Sequence, residues 1–274
     1  ANSQEVENYT EKLLRYERNP GNGDFSYLKK AFYCQSDQLQ ENNEAEIIKR
    51  AWGTTFIEHK IMQEEPSFDA NETTGPTGKQ VIDEMNNRYG FFSWHGHGAP
   101  SHIVVSNSAH VNSDRVITAF QNVNSGSFIQ ESGHGLDCLT NHDYQAIAYS
   151  VACTTTPFDI YGSYNIPYNI GSSFTVAGLY GGPAFLGNTR EGFYKNYASA
   201  TLEEEFANLV KTGNCIGAAE ALSKAYLNEN KDSINKGSTD LAHKVILAHH
   251  LIGCPEFSMW TDIPSVYSLS LIHI

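Results

Sequence analysis

Apolar positions in the first half of the chain follow two alternating periods. Over residues 5–17 an apolar side chain recurs every three or four positions, which is the period of an amphipathic helix. Shorter runs that are almost continuously apolar follow, and such runs are typical of strands buried on both faces. They predict strands at 29–36, 56–62 and 89–94, separated by a helix at 41–52 and by a helix that a capping box of Thr77 and Gln80 begins.

The second half begins with a stretch rich in Ser, Asn and Gly, residues 99–140, in which two short strands are predicted, at 102–106 and 115–120. Long excursions of this kind are usually functional rims or variable decoration. Regular periodicity then returns with the strongly apolar run "QAIAYSVAC". From there on, strands are predicted at 145–153 and 182–188, and helices at 169–178, 214–228 and 239–252. A further helix is predicted to begin at a capping box of Thr201 and Glu204 and to end at about Lys211.

Strands that alternate with helices predict an α/β fold in which a mostly parallel sheet is covered on both faces. The chain shows no internal repeat and no linker, so a single domain is expected over residues 1–268. Residues 269–274 follow no predicted element, and we expect them to be a non-native tail. We also expect the domain to be truncated at its N-terminus.

Charge and length narrow the class of protein. The 274 residues are 40% apolar and carry a formal net charge of −13, which argues against the backbone of a nucleic acid as a partner. No apolar run reaches the roughly 18 residues that a membrane-spanning helix needs. The five cysteines show no CxxC spacing, so a structural zinc site is not expected, and their odd number leaves at least one thiol unpaired.

Reactive side chains stand at the ends of two of the apolar strands. "GFFSWHGHG" carries His95 and His97, and "AIAYSVAC" ends at Cys153. Ligands bind beyond the carboxyl ends of parallel strands, so neighbouring strands would bring a histidine and a cysteine together. An imidazole can take the proton of a thiol, the thiolate can attack a carbonyl carbon, and the amides of Gly98 and Cys153 could hold the oxyanion. The alternative for Cys153 is a small buried apolar residue, as most free cysteines are.

The histidines allow two other interpretations. His95 and His97 form an HxH pair, followed by His102, and zinc hydrolases use such pairs. Residues 99–100 are Ala-Pro, however, where a dinuclear zinc site would carry Asp-His. A second Gly-His-Gly lies in the loop-rich excursion, which makes His134 the second candidate for a catalytic base. The histidines that fall on surface or helix patterns are His142, His243, His249 and His250.

Five motifs in order resemble the gingipain-type cysteine peptidases, a family with a caspase-like fold. The first is Gly-His-Gly at 96–98 after an apolar strand, and the second is "ACTTTPFD" at 152–159. The others are "LTN" at 139–141, "YGGPAFLGNTREGFY" at 180–194 and "HLIGCPEFSMW" at 250–260, in which Cys254 stands where the family has Asp. The resemblance runs from about residue 5 to residue 262.

The resemblance implies a caspase-like three-layer sandwich and assigns roles to particular residues. His97 corresponds to the catalytic histidine and Cys153 to the nucleophile. The family can orient its histidine with an acidic side chain after the strand that matches "AFYCQSDQ", where Asp37 and Gln38 stand. Only Asp37 could also stabilise an imidazolium by its charge. The residues expected to line the specificity pocket are Arg190, Glu191 and Tyr194.

The resemblance further implies protein or peptide substrates and a secreted or cell-surface bacterial protein. Catalysis would require no cofactor, and related peptidases can carry structural calcium, for which this sequence assigns no site. The changed Cys254 and the long excursion leave one more alternative, a catalytically silent peptidase-like module for adhesion or secretion.

Overall fold

The computed structural model describes residues 2–65, 75–106, 114–121, 133–159, 166–193, 198–234 and 239–263. The predicted tail at 269–274 lies outside these ranges. The described strands are β1 (Lys30–Gln35), β2 (Glu58–Met62), β3 (Phe91–His95), β4 (Gly98–Ala99), β5 (His102–Val104), β6 (Val116–Thr118), β7 (Ile147–Ser150), β8 (Ala184–Asn188) and β9 (His249–Ile252).

Six of these strands form one central sheet, in the order β2-β1-β3-β7-β8-β9. The first five run parallel, and β9 pairs antiparallel with β8 at the edge. The mostly parallel sheet that the sequence predicts is therefore confirmed. Because β3 lies between β1 and β7, the carboxyl ends of these three strands meet at one edge of the sheet.

Helices cover both faces of this sheet. They are α1 (Ser3–Arg18), α2 (Asp37–Glu41), α3 (Glu44–Trp52), α4 (Gly78–Met85), α5 (Ile170–Ser172), α6 (Ala198–Lys211), α7 (Ile216–Ile234) and α8 (Thr239–Ala248), and α5 continues into a π-helical turn at Ser173–Ala177. The capping box predicted for α4 is confirmed: the Thr77 side chain accepts from the Gln80 amide, and the Gln80 side chain accepts from the Thr77 amide.

Strand side chains alternate between two apolar cores, one on each face of the sheet. On β3, Phe91 belongs to the core under α3 and α6, whereas Phe92 and Trp94 belong to the core under α4 and α5. On β7, Tyr149 and Ala148 divide in the same way. Burial on both faces explains why these strands are almost continuously apolar.

Several predicted boundaries are wrong. The predicted helix at 239–252 ends at Ala248, and His249–Ile252 is the strand β9, because these residues hydrogen-bond to the open edge of β8. His249 is consequently a buried strand residue rather than a helix or surface residue. Helix α6 begins at Ala198, so Thr201 lies inside the helix and does not cap it. The helix predicted at 214–228 extends to Ile234.

The loop-rich excursion carries a second, smaller sheet with the order β4-β5-β6. The strands predicted at 102–106 and 115–120 are confirmed as β5 and β6, and their apolar residues Ile103 and Ile117 pack into the core under α4. Strand β4 follows β3 directly along the chain. The small sheet therefore fixes the residues that come just after β3.

Candidate active site

His97 and Cys153 lie beyond the carboxyl ends of two neighbouring parallel strands. Trp94 of β3 pairs with Ser150 of β7, and each of the two reactive residues comes three positions later in its own segment. A Cβ atom on Gly98 would stand 2.8 Å from the Cys153 carbonyl oxygen and 2.8 Å from the Ala152 Cβ. The two strand ends thus touch at Gly98, where a side chain would not fit.

Asp37 lies against His97 at the same edge of the sheet. The His97 Nε2 is 3.2 Å from the Asp37 Oδ2, and the imidazole side chain is 43% exposed whereas the carboxylate is 4% exposed. The hydrogen bond to Asp37 raises the pKa of His97 above its usual value, against the lowering effect of partial burial. Because Nε2 faces the carboxylate, Nδ1 is the ring nitrogen available as a proton acceptor.

The backbone at Asp37 adopts an uncommon conformation. Its φ is +51°, in the left-handed region that non-glycine residues rarely occupy. Asp37 is also the first residue of α2, immediately after β1 and Ser36. Strained backbone of this kind clusters at functional sites. Gln38, the second predicted orienting residue, follows in the same helix, but its side chain lies outside the described part of the structure.

The Cys153 thiol is half-buried and touches the loop after β8. The Gly192 amide donates a hydrogen bond to the Cys153 Sγ over 3.3 Å. Burial raises the pKa of Cys153 above its usual value, the charge of Glu191 adds to the increase, and the Gly192 amide opposes it. The thiol is therefore protonated at neutral pH and needs a base to become a nucleophile.

The turn after Cys153 is tied to the same loop. Thr154 has a φ of +53°, which is a true outlier for a β-branched residue. Its amide donates to the Arg190 carbonyl over 2.8 Å. Arg190 in turn forms a bidentate ion pair with Asp159, in which its two terminal nitrogens lie 3.1 and 3.0 Å from the two carboxylate oxygens. These contacts hold the thiol on a sharp, fixed turn at the end of β7.

The amide of Gly98 points out of the small sheet. The Val104 amide donates to the His97 carbonyl over 2.8 Å, and Gly98 is the next residue along the ladder, opposite Ile103. Hydrogen-bonded and non-hydrogen-bonded pairs alternate in an antiparallel ladder. The Gly98 N–H is therefore directed away from β5, out of the free edge of β4.

His95 is not part of this arrangement. Its side chain is fully buried, and its two ring nitrogens face Glu44 and Glu203. Within the described ranges, no group of three or more His, Cys, Asp or Glu side chains could hold a metal ion. The zinc alternative built on His95 and His97 thus has no third ligand among these residues. His102 is also buried, and burial lowers its pKa to about 4.

His134 lies on the far side of the small sheet. Ala99 pairs with His102, His102 pairs with Thr118, and Thr118 bridges to Gly135, the residue after His134. Three strand spacings of about 4.8 Å separate Ala99 from Gly135, or about 14 Å in all. His134 is thus remote from the strand end that carries Cys153.

Two of the three predicted pocket residues lie beside the thiol. Arg190 and Glu191 immediately precede Gly192, whereas Tyr194 lies outside the described residues. A cavity of about 300 Å³ adjoins Arg190 and Glu191, but neither Cys153 nor Gly192 lines it. It is lined by Arg190, Glu191, Phe193, Lys244, Leu247 and Ala248.

Gly192 is the contact residue that sequence reasoning misses. A Cβ atom there would stand 2.3 Å from the Val151 carbonyl, so the loop can reach the thiol only with glycine at this position. The glycine inside "TREGFY" is a signal for a close approach, but its partner across the sheet cannot be read from the sequence.

Comparisons with known proteins agree with this architecture. The sequence model of Peptidase family C25 matches residues 1–260. The crystal structure of the Arg-specific cysteine proteinase gingipain R (RgpB) superposes with a TM-score of 0.64 at 15% identity, covering 97% of this chain and 55% of that chain. The complex of Porphyromonas gingivalis RgpB pro- and mature domains gives a TM-score of 0.61 at 15% identity, covering 96% and 54%.

This chain therefore spans about half the length of the gingipain R chains that it matches. At this level of identity the likeness shows the shared fold, and it confirms the caspase-like α/β architecture that the sequence motifs predict. A comparison with curated proteins finds no match. None of the helices in the described ranges is long and apolar enough to cross a membrane.

Proposed function

Because this chain belongs to peptidase family C25, the gingipain family, we propose that it is a cysteine endopeptidase that hydrolyses peptide bonds of proteins. One observation carries the proposal. A histidine paired with a carboxylate and a half-buried thiol stand at the touching ends of two parallel strands, with Gly98 between them. A base oriented by a third group next to a nucleophile is the arrangement that thiol catalysis needs.

In this proposal Cys153 is the nucleophile and His97 is the general base. The His97 Nδ1 takes the thiol proton while the Cys153 Sγ forms a bond to the scissile carbonyl carbon. Asp37 stabilises the imidazolium that results, through its contact with Nε2. The imidazolium then gives its proton to the amine that leaves, and the acyl group stays on sulfur as a thioester. Water, deprotonated by His97, hydrolyses the thioester and restores the thiol.

The amides of Gly98 and Cys153 are proposed to hold the oxyanion. The direction of the Gly98 N–H out of β4 supports this role, because no strand of the small sheet within the described residues competes for it on that side. Fixed backbone donors stabilise a developing negative charge without reorganisation. Arg190 and Glu191 are proposed to border the pocket for the substrate side chain, and Tyr194 stays a candidate on the strength of the family resemblance.

We propose protein or peptide substrates and no cofactor in the catalytic steps. We also propose a secreted or cell-surface location, which only the family membership supports. The cysteine peptidase and the zinc alternative differ in whether cleavage requires a thiol or a metal ion, so one experiment tests both hypotheses.

We expect iodoacetamide to abolish cleavage of an unfolded, fluorescently labelled protein substrate, and we expect a chelator to leave cleavage nearly unchanged. Mass spectrometry of the alkylated chain should place the carbamidomethyl group on Cys153 at the stoichiometry of the lost activity. Loss of cleavage on chelation together with insensitivity to alkylation would instead favour the zinc alternative. Alkylation at Cys153 without any cleavage by the untreated protein would favour the catalytically silent module.

Replacing Asp37 with Asn is expected to weaken catalysis and to shift its pH dependence. The carboxylate raises the pKa of His97, so its removal lowers this pKa, and the acid limb of the kcat/KM profile should move to lower pH. The plateau should fall by roughly 10²-fold, at the lower end of what a positioned general base contributes. Asp143→Asn, which removes an exposed carboxylate paired with Arg15, is the control. An unmoved acid limb would contradict the role of Asp37.

A further inference from the structure

A buried cluster of ionisable side chains lies directly behind the candidate active site. His95, Glu44 and Glu203 are each completely buried, under the face of the sheet that α3 and α6 cover. The His95 Nδ1 is 3.3 Å from the Glu44 Oε2, and its Nε2 is 3.3 Å from the Glu203 Oε2. The Ser93 hydroxyl donates to the Glu203 Oε1 over 2.5 Å and lies 2.7 Å from the His95 Nε2.

These contacts favour a proton on both nitrogens of His95. The Ser93 hydrogen is used on Glu203, so the Ser93 oxygen can only accept from Nε2, and Nδ1 faces a carboxylate. Burial alone would lower the pKa of His95, but the charges of Glu203 and Glu44 raise it above its usual value. An imidazolium between two carboxylates is the arrangement in which such a group can be buried.

His95 holds both ends of the segment that carries Asp37. At the first end, the His95 carbonyl accepts from the Ser36 amide over 2.9 Å, one residue before Asp37. At the second end, the His95 ring contacts Glu44, the first residue of α3. His95 therefore contacts both ends of the segment from residue 36 to residue 44. His95 also lies two positions before His97 in the chain.

A second bond fixes the start of α3 in the same place. The Gln35 side chain at the end of β1 accepts from the Ala45 amide over 2.9 Å. This bond holds α3 to β1, whereas the Glu44 contact holds α3 to β3. The distance between Asp37 and His97 depends on the position of the Asp37 segment relative to β3. Of the two contacts, only Glu44–His95 links α3 to β3, so this contact is the one that influences that distance.

We propose that His95, charged and clamped between Glu44 and Glu203, is a positioning residue that sets the contact between Asp37 and His97. This proposal rests on the proposed function for its kinetic consequences, but the contact itself can be measured without any turnover. Removal of the imidazolium leaves two buried carboxyl groups without the cation between them, and Glu44 then no longer holds α3 and the Asp37 segment against β3. A misplacement of this kind costs catalysis even though it lies away from the reacting atoms.

His95→Gln is the direct test, because glutamine keeps a polar side chain but not the charge. NMR titration of labelled histidine should show that the pKa of His97 falls toward about 6.5, the value of an unperturbed imidazole. With a peptide substrate, kcat should fall by roughly tenfold to a hundredfold while KM stays within about twofold. The acid limb of the pH profile should move in the same direction as the His97 titration.

His249→Gln is a matched control from the same face of the sheet. His249 is also a buried histidine paired with a glutamate, its Nδ1 lying 2.8 Å from the Glu220 Oε1. It belongs to β9 at the sheet edge, and its charge acts on Glu203, but its ring pairs with Glu220 rather than with Glu44. We expect this change to lower the melting temperature and to leave both the pKa of His97 and kcat as they are. A loss of stability by itself therefore does not reproduce the effect expected for His95→Gln.

Glu44→Gln keeps the test decisive if His95→Gln does not fold. It preserves the shape of the contact and removes one charge, so a smaller fall in the pKa of His97 is expected. A folded His95→Gln protein, or a folded Glu44→Gln protein in its place, with an unmoved pKa of His97 and a kcat within about twofold of the parent overturns the proposal. If the parent protein cleaves no substrate, the proposed function fails, and the NMR titration still decides whether His95 positions His97.

Discussion

Replacement of Cys153 by alanine is expected to lower kcat/KM for peptide hydrolysis by roughly 10⁴-fold or more, because loss of a nucleophile removes the covalent route altogether. Substrate binding should change little, since the thiol contributes one half-buried side chain to the site. The measurement is hydrolysis of a fluorogenic peptide, together with the affinity of the inactive variant for the same peptide.

Cys215→Ala is the matched control for this experiment. Cys215 is also free and partly exposed, but it precedes α7 and is not at the carboxyl ends of β3 and β7. It should keep parental activity, and it should still be inactivated by alkylation. A Cys153→Ala protein that cleaved peptides at the parental rate would refute the proposed mechanism, whatever the effect of chelators.

The pH dependence of alkylation reports the protonation state of the Cys153 thiol. Burial raises the pKa of Cys153, so the free thiol should react slowly with iodoacetamide at neutral pH and faster as pH rises. Nucleophilicity during turnover then has to come from His97 rather than from a standing thiolate. We therefore expect no stable thiolate–imidazolium pair before substrate binds.

The strands that carry the candidate site can be predicted because burial on both faces leaves a clear pattern. The runs that end near His97 and Cys153 are almost entirely apolar, and the structure places both as interior strands of a parallel sheet. Their adjacency is a different matter. It depends on the strand order, in which β3 and β7 pair across more than fifty residues of intervening chain. Only the family resemblance predicts that these two strands are neighbours.

Polar residues in buried strands are where the pattern misleads. His95 and His97 are two positions apart and look like a pair, but His95 turns into the core under α3 and α6 while His97 faces Asp37. The distinction depends on Glu44 and Glu203, which come from two helices far apart in the chain. Likewise, β9 has a helical pattern and becomes a strand because the edge of β8 offers hydrogen bonds. Tertiary contacts decide both cases.

Gly98→Ala is expected to have the second-largest effect on catalysis. The new methyl group would stand 2.8 Å from the Cys153 carbonyl oxygen and 2.8 Å from the Ala152 Cβ, and neither is the end of a flexible side chain that could move aside. The ends of β3 and β7 must therefore separate. That movement displaces the Gly98 amide and the neighbouring His97 together. Loss of one oxyanion donor typically costs 10²- to 10³-fold in kcat, so we expect a fall of about that size.

The control for Gly98→Ala is Gly213→Ala, a chemically identical change after α6 with no atom of the described residues within 4 Å of the added carbon. Its positive φ of +91° makes alanine unfavourable, by about 1–2 kcal/mol, so this control should lose stability but not kcat. Thermal unfolding and peptide hydrolysis, measured on both variants, separate the two effects. A Gly98→Ala protein that kept kcat within about threefold of the parent would mean that the touching strand ends do not form the oxyanion site. Cys153 and His97 would then have to act with donors other than the Gly98 amide.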